Sequence, residues 1–397
     1  MQISFIVTTF NIDPYVRQCL DSLKACTRPG DQVVIIDDNS TDETATIIKE
    51  FIRENKGIGV EFTTAFLGVN TIGGVGIPAN IGMDMSTRDV VFFVDGDDFL
   101  EVEHFRRARR VYENSNADIA FCNYLEHDEK NNAQKNPADF HKWSDINPLW
   151  SVDEARTKAL DLIAVPWRKF YRRSFLTKHR IRFPEGDFFF EDNPFHWRVC
   201  RLATSIVFIN EIVCFHRVNR PGQTMTSTGD ELSAFFTHFE TIFGEISPPN
   251  TEQRVLVARW LINNMTWHLD RLQPGAIWGY VDRASKVLPK IPTADWNGPL
   301  AESFIGKNIW PIVTRLREGN AWDVYELMHT RKRHAQLETL LKSVSTELKQ
   351  VRSEAKKAAT DAKKARELLQ AQQYIDEFTA LIEFEANQDR DEFQDGL

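Results

Sequence analysis

The sequence predicts a doubly wound α/β fold, and three observations carry that prediction. Strand-like apolar runs alternate with amphipathic helical patterns from residue 1 to about 125. Two of these runs, Val33–Ile36 and Val90–Val94, are apolar without a break, as strands buried on both faces are. Both end in carboxylates, Asp37-Asp38 and Asp95-Gly96-Asp97-Asp98, at the strand ends outside which open α/β sheets bind ligands.

Taken in order, Ile3 to Thr9 reads as a strand and Tyr15 to Ala25 as a helix whose apolar stripe is Val16, Cys19, Leu20 and Leu23. Gln32 to Asp38 is the second strand. A helix follows from Thr41 to about Lys56, with Ser40 or Thr41 as its N-cap. Val60 to Phe66 is a third strand, and a loop with Gly68, Gly73, Gly74 and Gly76 leads into a helix from about Pro78 to Met85. Asp89 to Val94 forms the fourth strand, Glu101 to Glu113 a helix and Ile119 to Asn123 a fifth strand. The resulting sheet is expected to be mostly parallel.

Beyond it, residues 126–150 read as a long polar loop, and Ala155 to Asn219 mixes helices with short strands. Residues 229–330 read as a helical, Trp-rich accessory domain, which sets the preceding domain at 1–228. From Leu337 through Leu341, Val344, Leu348, Val351, Ala355, Ala358, Ala362 and Ala365 to Leu369 the steps alternate four and three, an a/d heptad pattern. Residues 331–373 carry 11 Lys/Arg against 5 Asp/Glu, and residues 374–397 carry 8 Asp/Glu against a single Arg. This predicts a basic coiled-coil helix over 331–373, then an acidic tail. Self-association through that helix is the expectation; a solvated single helix and a basic face on anionic lipid are the alternatives.

Composition excludes several classes. A net charge of −9 and a pI near 5.7 argue against a nucleic-acid binder. Five cysteines without a CxxC fit reduced thiols better than a disulfide framework or zinc site. No basic leader precedes the first strand and no apolar run approaches about 18 residues, so the sequence predicts neither signal peptide nor membrane span, and a cytoplasmic protein.

Three carboxylates crowded at one strand end repel unless a cation joins them. Oxygen-only donors select a hard ion, Mg²⁺ or Mn²⁺, of the kind that also bridges phosphates. A solvated acidic turn is the plainer alternative, weakened by the second acidic strand end.

The series Val7-Thr8-Thr9-Phe10-Asn11, Asp37-Asp38-Asn39-Ser40-Thr41-Asp42, Asn80-Ile81-Gly82 and Asp95-Gly96-Asp97-Asp98 resembles the family 2 glycosyltransferases of the GT-A fold. The resemblance continues through Trp167-Arg168-Lys169-Phe170-Tyr171-Arg172-Arg173, Ile181 to Gly186, Phe190-Glu191-Asp192-Asn193-Pro194-Phe195 and Arg217 to Gly222, covering about residues 1 to 225. It implies a Rossmann-like sheet flanked by helices and an inverting, metal-dependent transfer from a nucleotide-sugar. It also implies residue roles. Thr8, Thr9 and Phe10 would line a base pocket. Asp38 would accept the imide N–H of uracil, which points to UDP-sugars; a helix cap is its alternative. Asn80, Arg217 and Arg220 would contact the donor, with the Gly222-Gln223-Thr224 loop folding over the diphosphate. Asp97 would be the principal metal ligand, Asp95 would reach metal or ribose, Asp98 would support them, and His216 is a further metal candidate. Asp192, set among Phe188, Phe189, Phe190 and Phe195, would be the general base, its pKa raised by desolvation. For Glu191-Asp192 the alternative is a cap of the helix expected over Asn193 to Leu202. Lys169 and Arg172 either face the donor or are solvated helix residues.

Two departures stand out. The family's Ala-Arg-Asn-x-Gly is Pro78-Ala79-Asn80-Ile81-Gly82 here, without the arginine, and its Trp-Asn-Lys is Trp167-Arg168-Lys169. The acceptor expected is a glycan or lipid-linked hydroxyl in bacterial surface polysaccharide synthesis, at most peripheral to the inner membrane face. A sugar-nucleotide-forming nucleotidyltransferase is disfavoured because Thr8 to Pro14 holds neither Gly nor Lys. The remaining alternative is a catalytically degenerate scaffold that gathers partners through its coiled coil.

Overall fold

The computed structural model describes residues 1–394 except 148, 188 and 221–227. Two units divide the chain between Tyr325 and Glu326.

The first unit is built on one mixed sheet. Its strands are β1 (Ile3–Thr9), β2 (Gln32–Asp37), β3 (Glu61–Phe66), β4 (Val90–Asp95), β5 (Phe99–Leu100), β6 (Ile119–Asp128), β7 (Ala133–Lys135), β8 (Lys169–Arg172) and β9 (Ile206–Val218). They lie in the order β3-β2-β1-β4-β8-β6-β9-β5, with β7 on β6. β3, β2, β1 and β4 are parallel, as the βαβ rhythm requires. Beyond β4 the sheet is mixed: β8 runs antiparallel to both β4 and β6, and β9 parallel to β6.

The helices of this half are α1 (Asp13–Cys26), α2 (Thr44–Glu54), α3 (Gly76–Met85), α4 (Val102–Ser115), α5 (Val152–Asp161), α6 (Arg173–Lys178) and α7 (Asp192–Leu202). α1 buries Val16, Cys19, Leu20 and Leu23, the stripe expected of it. α2 starts later than its sequence suggests, because Ser40 and Thr41 do not cap it. Ser40 Oγ donates to Asp37 at 2.6 Å and the Thr41 N–H donates to Asn11 at 2.8 Å, tying this turn to β1. Asp42 instead accepts the Thr44 N–H at 3.0 Å. The core between sheet and helices is aromatic: Phe5, Phe92, Phe105 and Phe170 are fully buried with ring centroids 4.8–6.1 Å apart. All five cysteines are buried free thiols.

Four further helices, Ala234–Gly244, Thr251–Arg271, Ile277–Val287 and Ile309–Arg317, belong to this unit and pack around Phe236, Leu261, Met265, Tyr280 and Val313. Several tryptophans of this stretch are structural: Trp296 stacks on Trp310 at 4.7 Å. The second unit is the continuation of a helix spanning Ala321–Gln394. Its heptad residues Leu337, Leu341, Val344, Leu348, Val351 and Leu369 are all exposed. Among the described residues, no helix is long and apolar enough to cross a membrane.

Candidate active site

Strand register brings the sequence-predicted residues to one edge of the sheet. Thr8 lies opposite Asp95, and Thr9 opposite Asp37. The chain turns sharply after β4, where the Gly96 N–H donates to the Thr8 carbonyl at 3.0 Å. A Cβ on Gly96 would sit 2.6 Å from Ile12 Cδ1 and 2.8 Å from the Thr8 oxygen, so this close approach requires glycine. Phe10 is exposed beside this edge. Thr9 is buried, and its hydroxyl donates to Asp37 at 3.0 Å; Asp37 is thereby a holder of the turn.

Asp38 accepts the Thr71 N–H at 2.9 Å and the Thr71 hydroxyl at 2.7 Å. It therefore caps no helix; it reaches across to the glycine-rich loop, a partner without a sequence signal.

Asp95, Asp97 and Asp98 offer carboxylate oxygens that all lie within 4.8 Å of one another. Such an oxygen-only, anionic donor set fits a hard divalent cation. Desolvation, then Asp98 and Asp97, hold the Asp95 carboxyl well above the usual range. Asp98 accepts the Arg217 N–H at 2.8 Å and pairs with His216 Nδ1 at 3.0 Å.

That pair sets His216, the further metal candidate, against the acidic cluster. Desolvation pulls its pKa down, but Asp98 outweighs this and sets it at about 9. The ring also stacks on Trp167 at 4.9 Å. Arg217, expected at the donor, is held against the acidic strand end. Its Nε donates to the Asp97 carbonyl at 2.6 Å, one Nη reaches Gln18 at 2.5 Å, another pairs with Glu129, and Tyr15 and Phe99 flank the guanidinium. Arg220 pairs with the Asp97 carboxylate itself. The Gly222-Gln223-Thr224 loop lies outside the described residues.

Asn80, expected at the donor, is buried with its carboxamide clasping the 181–185 segment. It accepts the Phe183 N–H at 3.0 Å and donates to Phe183 O at 2.9 Å and Glu185 at 2.8 Å. Gly82 of the same motif meets β1 so closely that a Cβ would lie 2.3 Å from Ile6 Cγ2.

Neither acidic residue at the start of α7 caps it through its side chain. Glu191 reaches back to the glycine-rich loop, accepting the Gly76 N–H at 2.9 Å, and a Cβ on Gly74 would collide with its carboxylate. Asp192, the first residue of α7, is half-buried. Desolvation and then Glu191 raise its pKa to about 7, against the opposing charge of Lys169. Of its expected phenylalanine setting, Phe188 lies outside the described residues; Phe190 and Asp192 line one cavity. Lys169 belongs to β8 and is buried, its Nζ 2.6 Å from Val165 O and 2.9 Å from His196 Nδ1. Arg172 is held by Asn116 at 2.7 Å. Arg168, where the resemblance expects asparagine, is buried between Tyr124 and Trp143 and paired with Asp139 at 2.7 Å.

Asp192 opens into a cavity of about 1030 Å³ walled by residues 138–165, α7 and the helix Thr251–Arg271. Asp192 thus lies on the wall of this cavity and near enough to the acidic strand end for its charge to act on Asp95.

This mixed sheet with its strand-end acids is a fold of the GT-A class. Residues 4–180 match Glycosyl transferase family 2, and over that stretch the chain resembles the family. The uncharacterized glycosyltransferase EpsJ of Bacillus subtilis is 24% identical over 217 residues, 55% of this chain and 61% of EpsJ. The poly(ribitol-phosphate) beta-N-acetylglucosaminyltransferase TarS of Staphylococcus aureus is 26% identical over 255 residues, 64% of this chain and 42% of TarS. A crystal structure of S. aureus TarS residues 1–349 in complex with UDP-GlcNAc has the same fold. Its TM-score is 0.66 at 19% identity, covering 84% of this chain and 92% of that one.

Proposed function

We propose that this protein transfers a sugar, with inversion, from a uridine diphosphate donor to a hydroxyl of a glycan or lipid-linked acceptor in bacterial surface polysaccharide synthesis. The single observation that carries this reading is Asp192, a half-buried carboxylate with a pKa of about 7, facing a large cavity. A general base works best with its pKa near the operating pH. As the acceptor hydroxyl attacks the anomeric carbon, Asp192 takes its proton.

Asp97 and Asp95 would hold Mn²⁺ or Mg²⁺, with Asp98 fixed behind them by His216 and Arg217. When bound, the ion supplies positive charge against the departing nucleoside diphosphate. Asp38 offers an acceptor for the uracil imide N–H at the end of β2, with Thr8 and Phe10 beside the base. The UDP-GlcNAc complex of the TarS fold relative supports the uridine assignment. We assign the exposed heptad face of the C-terminal helix to self-association.

Incubation with UDP-hexoses or UDP-N-acetylhexosamines and Mn²⁺ should release UDP in wild type. Asp192→Asn should keep the donor-induced thermal shift while losing transfer. An Asp192→Asn protein that transfers normally refutes the base assignment; wild type that neither binds nor hydrolyses any UDP-sugar favours the degenerate scaffold.

A further inference from the structure

The cavity beside Asp192 carries information about the acceptor, on the reading that the site transfers a sugar. Three indoles, Trp150, Trp260 and Trp267, line it half-exposed, and Phe235 stacks on Trp260 at 5.5 Å. Flat aromatic faces with scattered amides, here Asn193, Asn263 and Asn264, suit a ring that is apolar on its faces and hydroxylated at its edge.

Charge is the second, independent observation. The lining side chains include three cations against five carboxylates. Lys142 and Asp161 pair with each other at 2.9 Å and Asp153 is paired with Arg156, which leaves Lys158 and Arg259 against Glu154, Asp192 and Glu252. Phosphate polymers are recognised by clustered Arg and Lys presented in excess. This cavity presents the opposite balance, and an entering polyanion would face net repulsion.

We propose that the cavity is an acceptor subsite for uncharged sugar rings, and that this protein does not share the poly(ribitol-phosphate) acceptor in the name of its relative TarS. The indoles stack on the sugar faces, the asparagines bond the hydroxyls, and the carboxylates turn away anionic polyol phosphates. An acceptor hydroxyl seated there lies within reach of Asp192 on the cavity wall.

The test is binding to the full-length protein at physiological salt, read by tryptophan fluorescence and calorimetry. The probes are chitotetraose, cellotetraose and mannotetraose, with a ribitol phosphate oligomer of similar length. At least one neutral tetrasaccharide should bind saturably, and the ribitol phosphate oligomer should bind at least tenfold more weakly than it. Trp260→Ala should weaken the sugar about tenfold, the effect of uncovering about 60 Å² of apolar ring face. Trp260→Phe, which keeps an aromatic face, should stay within about threefold of wild type, separating stacking from misfolding. Tighter binding of ribitol phosphate, binding of no neutral probe, or a Trp260→Ala protein with unchanged sugar affinity overturns the proposal. Wild-type hydrolysis of a UDP-sugar, measured alongside, keeps this outcome distinct from failure of the sugar-transfer reading itself.

Discussion

Replacing Asp192 by asparagine should make the protein more stable and less active at once. The side chain keeps its shape and loses its charge. In the folded protein desolvation, then Glu191, raise the Asp192 pKa from 3.8 to about 7. Roughly three pKa units at about 1.4 kcal/mol each give a ceiling of about 4 kcal/mol. The carboxylate is partly open to the cavity, and Lys169 loses an opposite charge in the variant, so the expected gain is about 2 kcal/mol. The direction with pH follows from linkage. An aspartate held above its ordinary pKa binds its proton more tightly folded than unfolded. Its penalty is absent below 3.8, grows as the pH rises, and is complete above about 7. For a unit of 325 residues, about 2 kcal/mol corresponds to roughly 3 °C in Tm. Thermal denaturation of both proteins should show that gain near pH 8 and almost none near pH 4. Transfer should fall by at least about a hundredfold. A variant that is less stable near pH 8, or whose gain ignores pH, would refute the desolvated-base argument.

Three other outcomes are expected. Asp97→Ala should abolish a Mn²⁺-dependent thermal shift by UDP-sugar, which at about 100 times Kd contributes roughly 2.7 kcal/mol in wild type; a surviving shift places the ion elsewhere. Gly82→Ala forces a Cβ to within 2.3 Å of Ile6 Cγ2, so calorimetry should record a loss of about 1–3 kcal/mol, and an unaltered Tm contradicts that packing. Truncation after Tyr325 should reduce the oligomer mass seen by light scattering while UDP-sugar hydrolysis persists; unchanged mass rules out self-association through the C-terminal helix.

The parallel half of the sheet was legible because β1, β2 and β4 are buried on both faces, and β2 and β4 read as unbroken apolar runs. The second half was not. β8 carries Lys169, whose ammonium is satisfied by Val165 O, His196 and the Phe121 ring, partners that local pattern does not reveal. β9 holds Asn210 and Glu211 opposite register shifts in β6, which blur its period of two. β5 is only two residues long. At the site, the carboxylates announced themselves by crowding at strand ends. The partners of those carboxylates did not. Thr71 on Asp38, Arg220 on Asp97 and His216 on Asp98 come from segments far apart in the chain, and only the fold shows which of them meet. Glu191 had a faint signal in Gly74 and Gly76, positions left bare where its carboxylate must fit.

Asp38 and Asp97 are each already answered by a group of the protein itself, the Thr71 hydroxyl and the Arg220 guanidinium. On the proposed assignments these are understudies, standing where a nucleobase N–H and a cation would come. Donor entry is then an exchange of partners, and its measured affinity a difference between two sets of bonds. Neither of these two acids is left bare while nucleotide-sugar is scarce. It also discriminates against weak intruders, because any molecule that displaces Thr71 or Arg220 must offer something better than they do.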